Sequence, residues 1–196
     1  MNRRPLAHYL ILAALLATCG VARAADLSEA VILVAKPELS DALYGSSIVV
    51  VTPVGGDQHV GFIVNRPTEV TLGKVFPDDG PAQKVVDPVY VGGPVSTQTL
   101  FALVQRPASP GGKALRLMPG LYAAIDADTV DGIIRSESDH ARFVAGLVAW
   151  QPGELRDEID KGAWYVLKAD PALVLRSPVG LWEELVRRSK LVENAI

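Results

Sequence analysis

Val60-Gly61-Phe62-Ile63-Val64-Asn65-Arg66-Pro67 is a short apolar run halted by Asn-Arg-Pro. Val91-Gly92-Gly93-Pro94-Val95 repeats the plan about thirty residues later. Short, β-branched apolar runs bounded by Gly and Pro read as buried strands. Two such strands ending in polar or Gly/Pro-rich loops point to one rim of a sheet, where a ligand site can sit. Asn65, Arg66, Gly92, Gly93 and Pro94 are therefore the candidate site residues.

Residues 1–24 stand apart from this fold. Arg3 and Arg4 precede an apolar stretch from Leu10 to Ala17, and Ala22-Arg23-Ala24 follows. That order of charge, apolar run and small-residue cleavage site is a secretory signal peptide. The run falls short of the roughly 20 residues a permanent membrane helix needs. Cleavage after Ala24 leaves residues 25–196 as one expected domain, periplasmic or otherwise exported. It also removes Cys19, the only cysteine, and with it thiol catalysis, cysteine-bound zinc and intrachain disulfides. Two alternatives stay open: lipid anchoring through Cys19, and a cytosolic protein if the leader is not used.

The whole chain has 19 basic and 22 acidic residues. Loss of Arg3, Arg4 and Arg23 leaves 16 against 22, a net charge of about −6 with histidines neutral. An acidic domain without a basic run is a poor nucleic-acid binder, because affinity for phosphates depends on clustered Lys and Arg. No later stretch is long and apolar enough to span a membrane.

The first half reads as strands. Val31–Ala35, Ser46–Thr52, Val60–Val64, Pro88–Val91, Thr99–Val104, Ala114–Leu117 and Leu121–Ile125 are short apolar runs separated by Gly, Pro and polar turns. One or two helical turns fit Thr71–Phe76, and a surface loop fits 78–84. The second half reads as helical. Asp128 is placed to cap a helix carrying Val130, Ile133 and Ile134. Ser138 or Asp139 starts another in which Phe143, Val144, Leu147 and Val148 recur at i, i+1, i+4 and i+5. Pro152-Gly153 opens a third, closed by Gly162. Trp164–Leu167 returns as a strand, and Leu181, Trp182, Leu185 and Val186 mark a last amphipathic helix after Pro178. Strands first and helices later give an α+β domain: a mixed, mostly antiparallel sheet covered by helices from the second half. So many short strands also allow the sheet to curl into a partly closed barrel.

In these same pieces the chain resembles the YqgE/AlgH family of bacterial proteins. The matching stretches are Gly61–Pro67, Val91–Val95, and Arg142-Phe143 with Gly146 leading to Trp150-Gln151-Pro152-Gly153-Glu154-Leu155 and Glu158-Ile159. Lys36–Asp41 and Gly162-Ala163-Trp164 agree in position. The resemblance implies a compact domain of strands wrapped by helices. It brings no catalytic mechanism; the regulatory label of the family comes from association with alginate production and gene control. This chain departs from the family pattern in its leader, in Ala149 where glycine is usual, and in Glu154 where glutamine is usual.

Arg66 can hold a carboxylate or phosphate through two parallel N–H donors, with Asn65 beside it. The competing role is structural: an Asn side chain that fixes a turn and an Arg paired locally. Gly92-Gly93-Pro94 either lets backbone approach an anion or makes a tight strand-end turn; it lacks the lysine and serine of a phosphate loop. Arg142, placed on the second-half helix, either reaches the same rim or lies on an exposed helix face. Asp126-x-Asp128-x-x-Asp131-Gly132 fails as a calcium loop, since Val130 occupies the fifth position and the glycine comes one place late. His59 and His140 are isolated, so neither metal nor cofactor is expected. No serine sits in a nucleophile elbow.

The favoured reading is a non-enzymatic binding or regulatory module, exported, that takes a protein partner or a small anionic ligand at the Asn65/Gly93 rim. The alternative is a hydrolase of unfamiliar mechanism using Asp and Arg there. A transcriptional regulator is disfavoured by charge and by export. Cell fractionation followed by intact mass tests the leader. The expected product is an exported chain that begins at Ala25 and carries no lipid; a mass retaining Cys19 contradicts it.

Overall fold

The computed structural model describes residues 26–194; the leader and Cys19 lie outside the described residues. Strand β1 (Val31–Ala35) is buried along its whole length, because both of its faces are covered. Ile32 and Val34 point into one core cluster, while Val31, Leu33 and Ala35 point into another on the opposite face. The alternation expected of a pleated strand is thus present, but apolar on both sides. β1 pairs antiparallel with β10 (Trp164–Lys168) and with β2 (Ile48–Gly55). β2 continues as a hairpin into β3 (Gln58–Ile63).

The sheet then passes to β9 (Ala141–Trp150), β6 (Val95–Gln105), β8 (Leu121–Ala124) and β7 (Ala114–Met118). A short hairpin of β4 (Pro67–Thr71) and β5 (Pro88–Val91) joins it where β5 runs parallel to β9. Among the described residues that is the one parallel pairing in an otherwise antiparallel, strongly curled sheet, a half-barrel. Its concave side holds Phe62, Tyr90, Phe101, Leu103 and Leu121. The open side is filled by Leu181, Leu185 and Val186 of α5 (Leu181–Glu193) and by Leu173 and Val174 of a preceding 3-10 turn. Burying three such aliphatic side chains contributes on the order of 5 kcal/mol before entropy is counted, which fixes the position of α5.

Helices cover the outside in two patches. Val130, Ile133 and Ile134 of α3 (Ala127–Ser136), with Leu72 of α1 (Leu72–Val75) and Ala82 of α2 (Gly80–Lys84), pack on the β6/β8/β9 face. Leu155 of α4 (Glu154–Asp160) packs with Trp150 and Trp164 on the β1–β3 face. Among the described residues, no helix is long and apolar enough to cross a membrane.

Three expectations from the sequence are corrected. Residues 80–84, expected as part of a surface loop, form the short helix α2, whose Ala82 is buried. The cap of α3 is Asp126, whose carboxylate accepts from Thr129 N at 3.1 Å; Asp128 lies in the first turn. More consequentially, residues 141–150 form a strand and not a helix. At Gly146, φ +79°, the side-chain alternation slips by one residue, as at a bulge, and the ladder to β6 is irregular between Val95 and Leu100. Before Gly146, Phe143 faces the outer cluster and Val144 the inner one. After it, Leu147 takes the inner side and Val148 the outer. Two strand alternations joined by a one-residue slip reproduce i, i+1, i+4, i+5, which is the pattern of a helix face.

Gly146 is also a crossing point. A Cβ there would lie 2.3 Å from Gly93 O, and one on Gly92 would lie 2.2 Å from Gly146 O. Gly146→Ala therefore combines a left-handed side chain with a backbone clash, at a cost of at least about 2 kcal/mol. Urea unfolding measures this; a midpoint equal to that of the parent protein would contradict the crossing.

Candidate functional site

The run that ends β3 leaves the sheet at Val64 and delivers two polar side chains, Asn65 and Arg66, to one corner. Asn65 folds back on the loop before β2: its Oδ1 accepts from Ile48 N at 2.8 Å, and its Nδ2 donates to Ser46 O at 2.9 Å. Arg66 donates to Ala42 O at 3.0 Å and to Gly45 O at 2.6 Å. Together they tie residues 42–48 to the strand end. The same loop is braced from within by Asp41, whose carboxylate accepts from Tyr44 N and Leu43 N. Those two backbone bonds, more than the nearby Arg66 charge, hold its carboxyl below the usual carboxylate range.

Arg142 is corrected from an exposed helix position to the interior of β9, where only 3 % of its surface is exposed. Its guanidinium stacks over the Tyr90 ring at 4.2 Å. It donates to Val64 O at 2.6 Å and to Arg176 O at 3.0 Å, while Nε finds no partner. Burial lowers its pKa, opposed by Tyr90 and Asp87, and burial likewise raises that of the Tyr90 hydroxyl. Such an arginine, held by carbonyls and an aromatic face, is a pin between the end of β3 and the segment leading to α5.

Gly92 and Gly93 are buried. Gly92 O accepts from Ile63 N, and Gly92 N donates to Ala145 O. Their close approach is made to the backbone of Gly146 and Leu147. Pro94 is exposed beyond them. The two loops of the rim do lie side by side, since Val91 N donates to Arg66 O at 2.9 Å. None of Gly92, Gly93 and Pro94 lines the cleft beside Asn65 and Arg66.

The cavity that exists at this corner, about 250 Å³, is lined by Asn65, Arg66, Ser46 and Gly45 on one side and by Pro178, Gly180, Trp182 and Glu183 on the other. The second wall is the N-terminus of α5, where Gly180, at φ +70°, provides no side-chain cap. Trp182 is anchored by its indole N–H to Ala35 O at 2.8 Å. Arg66 has only carbonyl partners, with no carboxylate in ion-pair range among the described residues. A cation bonded to carbonyls and facing the first turn of a helix suits holding an anionic group. Glu183 on the same lining disfavours a multiply charged one.

The sequence reading missed the α5 wall and Tyr90. Gly180 directly before an acidic, amphipathic run was a readable sign of a helix start, but not of where that start would lie. His59 is buried with Nε2 2.9 Å from Leu27 O, and His140 sits in an exposed turn. Among the described residues, no group of three or more His, Cys, Asp or Glu is arranged to hold a metal.

Removing Asn65 strands one donor and one acceptor, each at the edge of the core. Asn65→Ala should cost about 1–3 kcal/mol and raise amide exchange across residues 42–48. Exchange rates unchanged in that loop would contradict its role as the tie.

Comparisons with known proteins bear on the family and the fold. The AlgH-like family profile matches residues 32–192. A UPF0301 protein of Thermobifida fusca is 35 % identical over 169 residues, covering 80 % of this chain and 84 % of its own. One from Streptomyces avermitilis is 32 % identical over 166 residues, covering 81 % and 85 %. Among solved structures, the AlgH protein of Pseudomonas aeruginosa superposes with a TM-score of 0.67 at 23 % identity, covering 81 % of this chain and 86 % of that one. A protein of Corynebacterium diphtheriae gives 0.66 at 24 %, covering 84 % and 88 %. At such identities the two structures speak to the fold alone, the α+β half-barrel described above. On the extent and order of these matches, the chain belongs to the AlgH-like family.

Proposed function

We propose that the protein is a non-enzymatic binding module, exported to the cell envelope, that takes a small ligand through a single carboxylate or comparable anionic group. The observation that carries this reading is the Arg66 guanidinium. It is bonded to Ala42 O and Gly45 O only, and it lines a cleft whose opposite wall is the uncapped start of α5. A guanidinium outside any ion pair, beside the first turn of a helix, favours an anion by charge and by geometry. The lining offers donors for holding a group in place; a proton-transfer reaction asks for a matched acid and base, and Glu183 is its single carboxylate. Export rests on the charged, apolar and small-residue order of residues 1–24. An extracytoplasmic place and an acidic surface both weigh against a direct role on DNA.

The test is a titration followed by amide NMR, with acetate and inorganic phosphate as probes. Acetate should give saturable shifts at Asn65, Arg66, Gly180 and Trp182, with little movement at Gly92–Pro94. Phosphate should bind more weakly because of Glu183. Arg66→Lys, which keeps the charge but loses the fork, should weaken acetate binding about three- to tenfold. Shifts confined to other surfaces, or an unchanged affinity in the variant, would remove the cleft from consideration.

A further inference from the structure

We propose that the groove between α1 and α3 is a docking site for a cationic, apolar-anchored peptide segment of a partner protein. It lies away from the Arg66 cleft and shares no lining residue with it.

The groove is a cavity of about 530 Å³ whose apolar lining comes from Val75, Phe76, Leu100, Ile125, Val130 and Ile134. Val130 and Ile134 reach it from α3 while also packing into the core. Val75, Phe76 and Ile125 are 43, 38 and 43 % exposed. These partly open apolar side chains share one groove, so a partner's apolar residues could cover them together. Gln98 and Thr99 of β6 add hydrogen-bonding groups beside Leu100.

Charge selects the partner. Asp79, Asp128 and Asp131 stand in the lining, and Asp78 lines an adjoining cavity on the other side of Phe76. The basic side chain among these residues is Arg135, and it is already engaged: its Nε donates to Asp131 at 2.9 Å, and it lies 3.7 Å from Asp79. Four carboxylates against one committed guanidinium leave the rim negative. Asp128 has no ion pair among the described residues. An apolar floor with an acidic rim complements a segment whose apolar side chains are flanked by Lys or Arg. A second copy brought face to face would set the same acidic rim against itself, which opposes isologous pairing. Nucleic acid is repelled by the same charge.

The probe is a synthetic 14-residue amphipathic Leu/Lys peptide, with the Leu/Glu peptide of the same pattern as its counterpart, read by amide NMR and fluorescence anisotropy at low and moderate salt. The Leu/Lys peptide should shift Phe76, Leu100, Ile125 and Asp128, and the Leu/Glu peptide should not. Phe76→Asp should weaken binding at least about tenfold. Asp128→Asn together with Asp131→Asn should weaken it about threefold and flatten its salt dependence. Ile125→Ser, an independent exposed position, should act in the same direction as Phe76→Asp. The amide spectrum away from the groove confirms that each variant is folded. Unmoved groove amides, or unchanged affinity in both Phe76→Asp and Ile125→Ser, would overturn the proposal. So would concentration-dependent dimerisation that moves the same amides without peptide.

Discussion

Three glycines at one backbone crossing set the shape of this molecule. Where the chain leaves β5, Gly92 and Gly93 run against Gly146 of β9 so closely that a Cβ on any of them would meet a main-chain atom within 2.3 Å. This contact lets β9 serve two partners on successive stretches. Its first half pairs with β6 and β5, and its last residues pair with β3. The slip at Gly146 lies between them. One continuous strand thereby joins what would otherwise be two sheets, and the curl that follows encloses the core.

The polar side chains near the crossing serve the same end. Asn65, Arg66 and Arg142 are all directed at backbone carbonyls or amides. They fix the loop before β2, the end of β3 and the segment leading to α5. Buried or half-buried donors need partners, and loop carbonyls that no strand claims supply them. Arg66 differs from Arg142 in one respect that matters chemically. Arg142 is sealed over Tyr90, whereas Arg66 lines a cleft and is bonded to carbonyls, with no carboxylate in ion-pair range among the described residues.

Much of the fold was legible along the chain. The apolar runs at Val31–Ala35 and Ile48–Val51, the turn after Pro53, and the last helix with its acidic start and basic end all form as composition and punctuation imply. The segment 141–150 carries a helix-like pattern because a one-residue slip converts a period of two into something that imitates 3.6. The α3 cap was displaced by two residues because two aspartates compete for it, and only Asp126 has the extended backbone of a cap. The cleft beside Asn65 and Arg66 is half visible along the chain: these residues stand out locally, but the opposing wall, Gly180 to Glu183, lies more than a hundred positions away.

The sequence by itself determined the local choices: which runs are apolar enough to be buried, where Gly and Pro interrupt them, and the acidic balance of the surface. These depend on neighbours within a few residues, so periodicity and turn chemistry reveal them. The tertiary structure alone decided that Gly92 and Gly93 meet backbone and not a ligand, that Arg142 is enclosed, and that Arg66 faces the start of α5. Each of these is a contact between segments distant in the chain, set by how the sheet curls, and no local pattern encodes where two distant backbones cross.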